Sequence, residues 1–322
     1  MPKQKETSPL PRAITGSSPQ VRELRTQLQA LAGTPRPLVL AGEPGAGKRH
    51  FARCLHLRTY GRSGAPFVEC DPETDEEALR VILFDEGRRR MEGIMGRKLA
   101  DLTAEGTLLV RNLHAFKIIA QTRLARFLVQ QEQGKSPGVR VVFSFPDGVP
   151  GAGRRGPLME SLERSLRRFP LVTIAPLRER REDIPVLAEE FARRRGVSGR
   201  EAIPADALEA FQRHPWHDNV RELRSVVRES LAGGTGFRLP GGFLDEREGV
   251  RKAIDAILEG RPFSIEEYLN TMEQAFLRRA LIRCDYDKVR AASLLGMTEI
   301  HLRYRMRKFG LHDPNEEERK AP

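Results

Sequence analysis

Two stretches of this chain carry residue types at spacings that can do chemistry. Gly42-Glu43-Pro44-Gly45-Ala46-Gly47-Lys48 has the Gly-x4-Gly-Lys spacing of a phosphate loop. Glycines at Gly42, Gly45 and Gly47 let backbone N–H groups close around phosphate oxygens. A following helix N-terminus adds positive potential there, and Lys48 can reach the terminal phosphates. The implied ligand is ATP or ADP. Position 49 is Arg49, where a Ser or Thr would ligate Mg²⁺, so a role for Mg²⁺ stays open. Arg49 offers positive charge at the phosphates in its place. The second stretch, Asp287 to Phe309, holds six basic residues (Lys288, Arg290, Arg303, Arg305, Arg307, Lys308) against the acids Asp287 and Glu299. No residue is assigned a catalytic role, and none a metal.

The elements that must position these groups are legible from periodicity and caps. Pro37 to Ala41 is an apolar run of buried-strand type, and after the loop Phe51, Cys54 and Leu55 mark a helix. This order of strand, Gly-rich loop and helix is the context a phosphate loop demands. Near the other end, Ile265, Leu269, Met272, Phe276 and Ala280 recur at steps of three or four, predicting an amphipathic helix. Asp287 opens a short helix, Gly296 ends it, and Thr298 caps a third helix running to Phe309. A Gly turn between two short helices is the helix-turn-helix plan, whose last helix enters the major groove of double-stranded DNA. Leu302, Met306 and Phe309 are expected to face inward. That leaves Glu299, Ile300, His301, Arg303, Tyr304 and Arg307 outward, with Lys288, Arg290 and Thr298 completing the contact set.

Composition agrees without deciding. The chain has 322 residues and a net charge of +11, as suits a protein that must find a polyphosphate. Cys54, Cys70 and Cys284 are scattered and odd in number, which fits a reduced cytoplasm. No apolar run approaches the ~20 residues of a membrane span, and the polar start, Met1 to Arg12, is no signal peptide.

Together these segments resemble the bacterial enhancer-binding proteins, the AAA+ activators of sigma-54 RNA polymerase with a Fis-type helix-turn-helix. The resemblance runs from about Ile14 to Leu311. Ile14 to Pro19 and Val21-Arg22-Glu23-Leu24 resemble the family's opening, and Gly42 to Lys48 its phosphate loop. Pro176-Leu177-Arg178-Glu179-Arg180-Arg181-Glu182-Asp183-Ile184-Pro185 resembles the entry to its lid. Trp216 with Asn219 to Arg224 is close to its second sensor, which would make Arg221 the lid arginine that touches nucleotide. No receiver or sensory segment is expected ahead of residue 14.

The chain departs from the family at the hydrolytic positions. The family's catalytic strand ends in Asp-Glu, whereas Gly106 to Val110 runs into Arg111-Asn112. A cation at the Mg²⁺-side position reverses the required charge, and Asn cannot act as a base. Phe145-Pro146 stands near the place of the first-sensor Asn, and Arg164-Ser165 near the finger arginine. The Gly-Ala-Phe-Thr-Gly-Ala loop by which the family contacts polymerase is absent after Phe84, where Asp85 to Glu92 includes Arg88-Arg89-Arg90. A positioned base is worth ~10²–10⁴ in rate and an arginine finger ~10³–10⁵. Losing several such groups predicts a degenerate member that does not hydrolyse ATP.

The expected fold is therefore α/β: an AAA+ phosphate-loop domain with a parallel sheet at residues 14–175 and a helical lid at 176–232. A small all-α helix-turn-helix domain follows at 263–311. Tails at 1–13 and 312–322 and a Gly-rich linker at 233–262 complete the chain. Strands are expected near 37–41, 66–70, 107–110, 139–145 and 171–174. The reading is a cytoplasmic DNA-binding transcriptional regulator that self-associates as a dimer or higher oligomer. Its further partners would be related AAA+ activators or RNA polymerase. An ATP-hydrolysing sigma-54 activator and a non-hydrolysing nucleotide sensor remain the alternatives.

Overall fold

Leu38-Val39-Leu40-Ala41 shows no polar alternation, as suits a strand covered on both faces. The computed structural model describes residues 13–33, 36–61, 65–70, 105–113, 116–132, 138–146, 158–197, 203–231, 237, 254, 257–260 and 262–311. The tails, most of the 233–262 linker and residues 71–104, including Arg88-Arg89-Arg90 and the place of the polymerase loop, lie outside them. The chain divides into two compact units, Met1–Pro176 and Leu177–Pro322.

The first unit is a five-stranded sheet of β1 (Leu38–Ala41), β2 (Phe67–Cys70), β3 (Glu105–Arg111), β4 (Gly138–Phe145) and β5 (Leu171–Thr173). All its pairs are parallel, in the order β2-β3-β4-β1-β5. Parallel neighbours need crossover connections, and among the described residues helices lie on those from β1 to β2, β3 to β4 and β4 to β5. Helices α1 (Pro19–Ala32) and α2 (Lys48–Tyr60) cover one face, where Val21, Leu24, Phe51 and Leu55 pack on Leu38, Leu40, Leu109 and Val142. Helices α3 (Ile118–Glu132) and α4 (Glu160–Leu166) cover the other, where Leu124, Leu128 and Leu162 meet Val39, Leu108, Val110 and Val141. Successive strand residues thus serve opposite cores, which follows from the two-residue period of a strand.

The second unit opens with a single 3₁₀ turn and continues with α5 (Asp183–Arg194), α6 (Ala205–Arg213) and α7 (Asn219–Leu231). Trp216 is fully buried among Leu177, Ile184, Phe211 and Leu223, and its indole N–H donates to the Phe211 carbonyl at 2.7 Å. Asn219 accepts from the Leu177 N–H at 2.7 Å, pinning the start of α7 to the lid entry. Helices α8 (Ile265–Arg283), α9 (Lys288–Leu294) and α10 (Glu299–Lys308) form the last bundle, closed by Leu277, Leu281, Ala291, Leu302 and Met306. Lid and bundle, expected as separate domains, lie in the same unit.

The expected helix is α8, but its periodic stripe is only partly covered: Ala280 packs in this core, whereas Ile265, Leu269 and Phe276 are 67%, 58% and 54% exposed. Leu277, Leu281 and Ile282 complete the core side of the helix. Periodicity locates an apolar face but not what covers it, and α8 carries apolar residues on two sides.

Candidate nucleotide loop and nucleic-acid interface

The phosphate loop springs from the carboxyl end of β1. Gly42 has φ 146°, and a Cβ there would lie 2.6 Å from the Ile174 carbonyl oxygen just after β5, so only glycine fits. The Ala46 N–H closes a turn onto the Glu43 carbonyl at 3.2 Å, and α2 starts at once with Lys48. The Lys48 ammonium folds back over the loop, donating to the Gly42 carbonyl and, at 2.8 Å, to that of Glu43. Gly42, Gly45, Gly47 and Lys48 are thus assembled as one loop at a helix N-terminus, the place where backbone amides and the helix dipole favour an anion.

Arg49 is engaged differently. Its guanidinium donates to Glu69 on β2 at 2.5 Å, and Arg53 donates to the same carboxylate at 3.1 Å. Burial, with Arg49 beside it, pulls the Arg53 guanidinium below its usual range, and Glu69 partly offsets this. Glu69 escaped sequence reasoning, although an acid inside the apolar run Phe67 to Cys70 was a signal that a cation waited opposite.

The hydrolytic positions lie along the same carboxyl edge. Register sets Arg111 of β3 against Ser144 of β4, and Phe145 of β4 against Ala41 of β1. Asn112, with φ 48°, turns the chain out of the sheet. Arg164 pairs with Glu160 at 2.7 Å on the exposed side of α4, while the buried Ser165 hydroxyl donates to the Ser161 carbonyl. Among the described residues no group of three or more His, Cys, Asp or Glu could hold a metal ion. None of their helices is long and apolar enough to cross a membrane.

Arg221 belongs to the second unit. It donates to the Arg283 carbonyl at 3.4 Å and lies 3.9 Å from Asp218.

The helix-turn-helix geometry follows its caps. The Asp287 carboxylate accepts from the Val289 and Arg290 N–H groups at 3.0 and 3.1 Å, and the Thr298 hydroxyl accepts from that of His301 at 3.3 Å. Between them Gly296 takes φ 66°, and the Met297 N–H returns to the Ala292 carbonyl at 3.0 Å. Leu302 and Met306 are buried and Phe309 is half-buried, as expected. Ile300 and Tyr304 are 78% and 64% exposed on α10, with His301, Arg303 and Arg307 exposed beside them. Glu299 is half-buried and accepts from Arg303 at 2.7 Å, so the two form one polar unit on the outward face. Thr298 and Arg290 are exposed, and Lys288 is half-buried. Arg305 and Lys308 are tied back to α8, through Glu273 and through Asn270 at 3.0 Å respectively.

Comparison with known proteins matches this organisation. Residues 15–171 match the sigma-54 interaction domain, 178–236 the AAA+ ATPase lid domain, and 268–309 the Fis family of bacterial regulatory proteins. The chain is 27% identical to the response regulator protein PilR of Pseudomonas aeruginosa, over 95% of this chain and 72% of PilR. It is also 27% identical to the DNA-binding transcriptional regulator NtrC of Rhizobium meliloti, over 92% of this chain and 70% of NtrC. Among solved structures, NtrX of Brucella abortus in complex with ATP superposes with a TM-score of 0.57 at 26% identity, over 92% of this chain and 69% of that one.

Proposed function

The chain belongs to the bacterial enhancer-binding protein family, and from that membership we propose that it is a cytoplasmic, DNA-binding transcriptional regulator whose AAA+ domain does not hydrolyse ATP. The observation that carries this reading is Arg111-Asn112 at the end of β3, where the family has two carboxylates that hold and use Mg²⁺. A guanidinium there repels the metal, and an amide cannot take a proton from water. Nucleotide binding is kept in the proposal. Gly42, Gly45, Gly47 and Lys48 form an intact loop, and the similar NtrX structure holds ATP. Residues present in this chain suit the phosphates of ATP or ADP; a Mg²⁺ ligand after Lys48 is lacking. Arg221 is assigned to nucleotide by resemblance alone. Arg49 is the weakest of the proposed contacts, since Glu69 already holds its guanidinium.

The DNA-contact face consists of Glu299, Ile300, His301, Arg303, Tyr304 and Arg307, flanked by Thr298, Lys288 and Arg290. A dimer on a two-fold site suits it, and the exposed Ile265, Leu269 and Phe276 stripe supports association of two copies. Related activators or sigma-54 polymerase are the remaining proposed partners.

One preparation tests the chemistry. ATP turnover and ATP and ADP affinity are measured beside a Lys48→Ala control, with and without DNA. The expected result is Lys48-dependent binding with turnover no higher than the control. Lys48-dependent turnover would return the chain to the hydrolysing activators. Absence of Lys48-dependent binding would leave the loop as a structural relic.

A further inference from the structure

A seam of opposite charges joins the lid to the DNA-binding bundle, although the sequence separates them by a Gly-rich stretch. Arg278 of α8 is 9% exposed and grips Glu229 of α7 along the Nε–Nη2 edge of its fork: Nε lies 3.1 and 3.0 Å from the two carboxylate oxygens, and Nη2 2.8 Å from one of them. Further along, Arg283 donates to Asp218 at 2.9 Å, and Arg224 lies 3.9 Å from Asp285. Arg221 donates to the Arg283 carbonyl at the C-terminal end of α8, where a helix is electronegative. The ends of the two helices therefore meet in opposite order, the start of α7 against the finish of α8.

We propose that this seam is a latch that locks the lid and the DNA-binding domain into one rigid body, with the DNA-contact face left open. In the two close pairs acids Asp218 and Glu229 come from the lid and their guanidinium partners Arg283 and Arg278 from the bundle; the longer Arg224–Asp285 pair runs the other way. A part-buried, forked pair fixes orientation more strictly than a fully exposed one, because the fork has few good geometries and the Arg278 side is largely out of water. Ile300 and Tyr304 stay exposed while the latch is closed, so closing it does not cover α10. A DNA-bound domain would accordingly set the orientation of the lid it carries. The exposed pair Arg224–Asp285 adds little, and the latch rests on Arg278–Glu229 with Arg283–Asp218.

The experiment measures a distance across the seam in the full chain. Spin labels are placed through non-canonical residues at exposed Asp206 of the lid and exposed Ser293 of α9. Pulsed dipolar spectroscopy is expected to give one narrow distance population. Arg278→Glu or Glu229→Arg alone should broaden it. The double swap, Arg278→Glu with Glu229→Arg, should narrow it again, which a mere loss of folding could not do. Adding a random-sequence 30-base-pair duplex at low salt should leave the narrow population in place. A broad distribution in the native chain, a width indifferent to single reversals, a double swap that stays broad, or broadening by DNA would each overturn the latch.

Discussion

Arg303 and Glu299 hold each other on the exposed side of α10, and their pairing sets what each can read. A guanidinium already shared with a carboxylate has less charge to spend on phosphate, so indiscriminate DNA is disfavoured. Arg303→Ala should cost about 1–3 kcal/mol on a specific site if the fork reads guanine. Glu299→Ala should instead tighten binding to random DNA while narrowing the gap between specific and random sites. Fluorescence anisotropy on both duplexes checks this, and equal losses of Arg303→Ala on each would reduce that residue to a phosphate contact. A second residue-scale expectation concerns His56, buried on α2 with Nδ1 3.0 Å from the Thr107 hydroxyl. Burial first, and then the charge of Arg140, lower its pKa; a backbone hydrogen bond at Ala65 opposes them. The folded state thus prefers the neutral ring. Its contribution to stability is complete above about pH 6.5 and is lost as pH falls from there toward the lowered folded value. Urea midpoints of the native chain should drop between pH 7.5 and 5.5, and His56→Gln should flatten that fall. An unchanged slope would show that another group is responsible.

At the scale of elements, the last bundle depends on its helix ends as much as on its core. Helix α9 has only seven residues, too few to persist without packing and caps. Asp287 satisfies two of its first amide groups, so Asp287→Ala should destabilise the bundle by about 1 kcal/mol. Gly296→Ala meets no neighbour within 4 Å, yet its φ of 66° is left-handed and should cost about 1–2 kcal/mol. Thermal unfolding of the DNA-binding unit reads both changes. If Gly296→Ala proved neutral, the turn would be adopting a different conformation from the one described. These effects act on stability, so DNA affinity at low temperature should be nearly unchanged.

For the whole molecule, the proposed function makes one demanding prediction. Remodelling a polymerase needs contacts that differ between nucleotide states, because a ligand that does not change between states cannot drive a shift. With Arg111-Asn112 in place of carboxylates and no Gly-Ala-Phe-Thr-Gly-Ala motif in its sequence, the chain should give no transcript alone with sigma-54 polymerase. Added to a working activator, it should lower output or leave it unchanged. Arg111→Asp with Asn112→Glu should not rescue transcription, since the contact motif is still missing. Transcript from the unmodified protein would overturn the proposal.

Local rules were enough to read the strand positions, the phosphate loop, the caps at Asp287 and Thr298 and the inward Leu302 and Met306. Each depends on residues within a few positions of one another: a two- or 3.6-residue period, a glycine forced by backbone angle, a side chain reaching the next turn. Family motifs of the same short range identified the chain's relatives. What only the tertiary structure decided involves partners far apart in sequence. Glu69 reaches Arg49 and Arg53 because parallel pairing brings β2 to the edge of the sheet near α2. Ile265, Leu269 and Phe276 of α8 are left outside because Leu277 and Leu281 fill the inner side of that helix. Arg278 looks like one more arginine in a basic chain until folding buries it against Glu229, 49 residues away. A charge pattern along the chain fixes which side chains can pair, but desolvation and fork geometry select the pair that forms, and both exist only once the helices have packed.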